Sequence, residues 1–161
     1  MHMVDIFPHS AGVSHVRGIV RIISQNEGAV SISELAEEAE EDVDDLLPLI
    51  DACELMGLAS VKDSEIRITE KGAKMVKSGP FKILRESIKK VEPFRSTIAA
   101  IAKNKKTTEE IADYLMGKGI VVDQIPENNV QTLRKLLRNW GAGTRLLSYD
   151  EQNDSWSIRS Y

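Results

Sequence analysis

The 161-residue chain has a single cysteine, no lysine or arginine between Arg21 and Lys62, and no apolar run approaching the length of a membrane span. A lone cysteine excludes a disulfide framework and a cysteine metal site. Cys53 falls on the apolar stripe of a predicted helix, so an inert core thiol is the favoured reading. A bilayer-spanning helix would need roughly 18 consecutive apolar residues, and Met1 to Ser10 lacks the basic-then-apolar layout of a signal peptide. The expectation is a soluble, cytoplasmic protein. With 42% hydrophobic and 29% charged residues, the composition is that of a folded chain with one sizeable core or two small ones.

The basic gap is filled with acids. Eleven aspartates and glutamates lie between Arg21 and Lys62, and seven of them, Glu40, Glu41, Asp42, Asp44, Asp45, Asp51 and Glu54, crowd one segment. The formal charge of −4 therefore conceals two unlike halves. Residues 1 to 80 carry 7 basic and 15 acidic side chains, whereas residues 81 to 161 carry 14 basic and 10 acidic. The sign changes near Ser78-Gly79-Pro80, where a linker is expected.

Hydrophobic spacing outlines the elements. Val16, Ile19, Val20 and Ile23 recur at helical intervals until Asn26-Glu27-Gly28. Ser31-Ile32-Ser33-Glu34 has the form of a capping box, and Ile32, Leu35, Ala36 and Ala39 give the next helix its face. Val43, Leu46, Leu47, Ile50 and Cys53 form the face of a third helix that stops at Met56-Gly57. Pro48 requires either that this helix start near Asp45 or that it kink at the proline. Leu58 to Lys62 and Glu65 to Thr69 read as a hairpin around Asp63-Ser64, followed by a helix carrying Ala73 and Met75-Val76.

The second half repeats this order. Phe94, Ile98 and Ile101 line a helix, and Thr107-Thr108-Glu109-Glu110 is another capping box. Ile111-Ala112 then stands 76 residues after Leu35-Ala36. A longer connection, Gly117 to Asn129, leads to a helix with Val130, Leu133, Leu137 and Trp140 on one face. Leu146 to Tyr149 and Trp156 to Ile158 flank Gln152-Asn153 as a second hairpin. A divergent duplication and a chance recurrence of a common motif both fit. The expected fold is α+β and mainly helical. It comprises two consecutive winged-helix-like domains, each with a small hairpin wing: an acidic one over 12–78 and a basic one over 82–161, joined near residues 78 to 82.

In a winged helix the helix before the wing enters the DNA major groove, where phosphate contacts need positive charge. The acidic first half would repel DNA, so Glu40, Glu41, Asp42, Asp44 and Asp45 point to docking on a protein partner. A plain solvated acidic face is the bland counterpart. The second half offers a rival. Arg134, Lys135, Arg138 and Arg145 fall on or just beyond its equivalent helix, with Asn128, Asn129 and Gln131 at the N-terminal end where base edges are usually read.

Several segments also resemble a known family. Val16-Arg17-Gly18-Ile19-Val20, Glu34-Leu35-Ala36-Glu37-Glu38, Val43-Asp44-Asp45-Leu46-Leu47-Pro48, Ala52-Cys53-Glu54-Leu55-Met56-Gly57, Ile68-Thr69-Glu70-Lys71-Gly72 and Asn139-Trp140-Gly141 with Ser148-Tyr149-Asp150 are similar to the AAA-associated C-terminal domain. The resemblance spans about residues 12 to 158, and the Val-Asp-Asp-Leu-Leu-Pro and Trp-Gly…Tyr-Asp segments are its most specific parts. In larger members that domain follows the ATP-binding subunit of nitrate/taurine-type ABC importers. The resemblance implies an accessory module for such an ATPase, here expected as a stand-alone chain. One departure stands out: where the family usually has an arginine-tyrosine pair after Trp140-Gly141, this chain has Ala142-Gly143-Thr144-Arg145.

Catalytic and metal chemistry find no constellation. Gly141-Ala142-Gly143-Thr144 follows a helix and lacks a Walker lysine, so it reads as a helix C-cap. His2, His9 and His15 have no fourth ligand at metal-site spacing, and His2 is compatible with a cloning remnant. The neighbouring acids Glu40-Glu41 and Asp44-Asp45 have no nucleophile or basic partner beside them. The expected role is that of a non-enzymatic regulatory or adaptor module, without cofactor or metal, for an ABC transporter ATPase serving small-anion import. The alternative is a transcriptional regulator that reads DNA with its second half. The sequence is compatible with a homodimer.

Overall fold

The computed structural model describes residues 5–159. They form an α+β, mainly helical structure with two antiparallel three-stranded sheets. Two compact units can be separated: one comprises Ser10–Leu84, the other residues 85–159 together with the N-terminal residues 5–9.

In the first unit, α1 (Val13–Gln25) buries Val13, Val16, Ile19, Val20 and Ile23, the stripe set by their spacing. The Asn26 side-chain amide closes the helix by donating from Nδ2 to the Ile22 carbonyl at 2.8 Å. After β1 (Ala29–Ser31), the Ser31 hydroxyl accepts from the Glu34 amide at 3.1 Å and starts α2 (Ile32–Ala39). Glu40 ends α2 in the left-handed conformation, φ 55°, which turns the chain into α3 (Val43–Leu55). Asp42 occupies the N-cap position, so Pro48 lies inside α3 rather than in its first turn.

Burial on α3 differs from the expected face. Leu46, Leu49, Ile50, Ala52 and Cys53 are buried, whereas Val43 and Leu47 are 43% and 44% exposed. The reason is angular: Leu47 stands about 100° round the helix from Leu46, and Val43, four residues before Leu47, shares its edge of the helix. Strands β2 (Ala59–Lys62) and β3 (Glu65–Ile68) turn through Asp63 and Ser64, φ 52° and 64°. Positive φ at both central residues is what a tight two-residue hairpin needs. The sheet order is β1-β3-β2, and Val30 and Val61 both pair with Ile66. In α4 (Glu70–Ser78), begun by Thr69, Gly72 packs so closely that a Cβ there would meet the Leu58 carbonyl oxygen at 2.2 Å. Helix α5 (Phe81–Ile88) follows, starting within the linker expected near residues 78 to 82, and the division between units falls within it.

The second unit repeats the order helix, short strand, helix, helix, hairpin. It comprises α6 (Phe94–Ile101), β4 (Lys106–Thr107), α7 (Thr108–Gly117), a 3-10 turn (Pro126–Asn128), α8 (Asn129–Leu136), β5 (Leu147–Asp150) and β6 (Ser155–Ile158). Its sheet order, β4-β6-β5, matches that of the first. A full capping box at Thr107 and Glu110 starts α7 where Ser31 starts α2. Helix α8 continues as a π-helical turn (Leu137–Ala142), and the left-handed residue that ends the run is Arg145, φ 65°, rather than a glycine.

Both tryptophans are fully buried in this unit. Trp140 meets the edge of Phe7 at 4.8 Å between ring centroids, and Phe7 meets Phe94 at 5.6 Å. The Phe7 amide donates to the Glu92 carbonyl at 2.7 Å. The N-terminal segment thus completes the core of the second unit, a long-range contact that no local spacing announces.

Candidate functional site

The acidic surface of the first unit is built by the α2–α3 corner. The left-handed Glu40 and the extended N-cap Asp42 hold the chain in a sharp turn, and Asp44 and Asp45 occupy the first turn of α3. There the helix dipole favours negative charge, which offsets part of their mutual repulsion. Glu40, Asp42, Asp44 and Asp45 are exposed and Glu41 is half-buried. Glu41, Asp44 and Asp45 come together around a shallow recess, with Ser10, His15, Pro48 and Leu49 as the rest of its lining. Glu40 and Asp42 do not line it. Among the described residues, none of the five acids forms a salt bridge. The exposed Val43 and Leu47 add apolar area beside this charge.

The polar residues of the second half divide into two groups. Asn129 is buried, and its Oδ1 accepts from the Val122 and Asp123 amides at 3.2 and 3.3 Å, fixing the connection that leads into α8. Asp123 in turn accepts from the Thr132 hydroxyl at 2.6 Å, the main cause that holds its carboxyl below the usual range. Asn128, half-buried, sits at the N-cap position of α8 without a side-chain cap bond. Gln131, Lys135, Arg138 and Arg145 are exposed, with the Arg138 guanidinium 5.4 Å from the centre of the Tyr149 ring.

Arg134 belongs to a network that the sequence did not reveal. Its Nε and Nη2 donate to the two carboxylate oxygens of Asp154 at 2.9 and 2.8 Å. The Tyr149 hydroxyl and the Thr108 hydroxyl also donate to Asp154 Oδ1, at 2.6 and 2.8 Å, and the Trp156 indole donates to Thr108 Oγ1 at 2.9 Å. Asp154 therefore ties together α7, α8, β5 and β6. The Arg134 hydrogen bonds lead the causes that hold the Asp154 carboxyl far below the carboxylate range, and the Asp154 bond pushes the Tyr149 phenol up. An acid followed by Ser155-Trp156 in a polar turn gives no periodic signal by which to find it.

The remaining sequence candidates are dispersed. His9 and His15 are exposed on different units, and His2 lies outside the described residues. Among the described residues no group of three or more histidines, cysteines or acids is arranged to hold a metal ion. Burial, with the neighbouring Glu54 charge, pushes the Cys53 thiol up to about 12, which disfavours the reactive thiolate. Gly141 and Ala142 end the π-helical turn, and the Thr144 hydroxyl donates to the Trp140 carbonyl at 2.5 Å, so this glycine-containing segment is engaged in helix termination. No helix among the described residues is long and apolar enough to cross a membrane.

Comparison with curated proteins finds no match, and neither does comparison with solved structures. A family model does match. The C-terminal AAA-associated domain aligns with residues 33–150, from α2 through the first hairpin to the end of β5. That span covers most of the sequence and includes the α2–α3 corner as well as Arg134 and Tyr149, and the chain belongs to the C-terminal AAA-associated domain family.

Proposed function

We propose that the protein is a non-enzymatic adaptor that docks on a nucleotide-hydrolysing ATPase through the acidic α2–α3 corner of its first unit. Family membership supplies the class of partner, and the carrying observation is the set of five acids that form no salt bridge among the described residues, beside the exposed Val43 and Leu47. Unpaired like charges on one short surface cost stability, and a cationic partner surface relieves that cost. Within this reading each unit is winged-helix-like, the partner is the ATP-binding subunit of an ABC transporter, and the transporter imports a small anion.

The alternative, DNA reading by the second unit, has weaker support. Arg134 and Asn129, two of the residues suited to nucleic-acid contact, already serve inside the unit, Arg134 through Nε and Nη2 and Asn129 through Oδ1. Gln131, Lys135 and Arg138 remain accessible for phosphate or base contact.

Co-purification tests the adaptor reading. The wild-type chain should retain the cognate ATPase, and the variant Asp42→Lys, Asp44→Lys, Asp45→Lys should lose it. Retention by the variant would contradict the reading. The isolated protein is expected to show no saturable ATP binding in calorimetry, because it has no Walker lysine and no phosphate-cradling loop after a strand.

A further inference from the structure

Arg17 and Arg21 are the only lysines or arginines in the first 61 residues, and they stand one turn apart on α1. With Met75, Val76 and Pro80 they line a cleft beside the C-terminal half of α4. The Arg17 guanidinium lies 5.2 Å from the centre of the Phe81 ring, which holds it as a flat donor surface at the rim. Among the described residues neither arginine makes a salt bridge. Val76 and Phe81 are 39% and 43% exposed, so apolar area and unpaired positive charge lie together.

The same unit carries the complement of this surface. On α3, Val43 and Leu47 are exposed one turn apart among Asp44, Asp45 and Asp51, and the acidic recess shares no lining residue with the arginine cleft. We propose that the arginine cleft of one copy receives the acidic face of α3 from a second copy, so that the chain associates head to tail. Each surface offers what the other lacks: two guanidiniums for carboxylates, and two exposed apolar side chains for two others. Guanidinium–carboxylate pairs formed over a desolvated apolar patch gain more than pairs in open water.

Two consequences follow from this geometry. The contact joins unlike patches, so one end of an assembly keeps an open cleft and the other an open acidic face, and assembly grows with concentration. The contact also occupies the face that the adaptor reading gives to the ATPase, so self-association and ATPase docking compete. The proposal does not rest on that reading, since it is tested with the chain alone.

Sedimentation equilibrium of the full chain is the test. At low salt the mean mass should climb above the 17.9 kDa monomer as concentration approaches about 100 µM, and fall back to it near about 0.5 M salt. Arg17→Glu with Arg21→Glu, and separately Asp44→Lys with Asp45→Lys, should each weaken association at least about tenfold. Mixing the two variants should restore association, because an intact acidic face then meets an intact cleft. A second cleft variant, Arg21→Glu with Val76→Glu, leaves Arg17 over Phe81 and should behave like the first. A wild-type protein that stays monomeric at every concentration overturns the proposal. So do folded variants that associate like wild type, or a mixture that stays monomeric.

Discussion

Arg134 and Asp154 face each other in a two-pronged ion pair, 2.9 and 2.8 Å, that joins the last long helix to the closing hairpin. Each side chain is about one-third exposed, 33% and 32%, so solvent screens the attraction and its strength lies in directed hydrogen bonds more than in charge. Arg134→Ala should cost about 1–2 kcal/mol of unfolding free energy. Asp154→Ala removes the acceptor of Arg134, Tyr149 and Thr108 together and should cost more, about 2–3 kcal/mol. Urea denaturation followed by tryptophan fluorescence reads both changes. Equal and negligible losses would show that the network is incidental to stability.

The same network sets a pH dependence. The Asp154 carboxyl is held far below its unfolded value of about 3.9, so on acidification the unfolded chain takes up the proton first. Its contribution is fully present above about pH 5 and is lost as the pH falls towards the folded value. Tyr149 works in the opposite sense: its folded phenol is raised, so its contribution is present below about pH 10 and declines above it. The second unit should show a stability plateau between these limits. Asp154→Asn should flatten the acid limb, and an unchanged acid limb in that variant would rule out the assignment.

Gly72 should tolerate no side chain. An added Cβ would approach the Leu58 carbonyl oxygen to 2.2 Å, and a backbone oxygen cannot rotate away as a side chain can. Gly72→Ala should therefore destabilise the first unit by about 1–3 kcal/mol or more, despite the better helix propensity of alanine. A melting temperature equal to or above the wild type would refute this packing.

Much of the architecture was legible because it is written at regular intervals. The stripe Val16, Ile19, Val20 and Ile23, the Thr107–Glu110 capping box and the Asp63-Ser64 turn each specify their element locally. Strands β1 and β4, of three and two residues, are too short to carry a period. Pro80 reads as punctuation, yet it directly precedes α5, where its fixed φ is tolerated. Of the candidate site, the acidic corner was visible as composition. The exposure of Val43 and Leu47 was not, because apolar spacing alone does not reveal which part of a stripe overhangs the core. Asn129 and Arg134 look the same in sequence whether they face a ligand or, as here, the Val122 and Asp123 amides and the Asp154 carboxylate, since only tertiary structure chooses their partners. Phe7 packs on Phe94 and Trp140 from far away in sequence, beyond the reach of any window.

The most direct test of the account is the association rate of the chain with its cognate ATPase, measured at low and high salt for wild type and for Asp42→Lys, Asp44→Lys, Asp45→Lys. Docking through the acidic corner predicts that the variant associates more slowly, with the deficit larger at low salt, where charge steering is unscreened. An unchanged rate with unchanged salt dependence would contradict the account and leave the acidic corner as solvated surface.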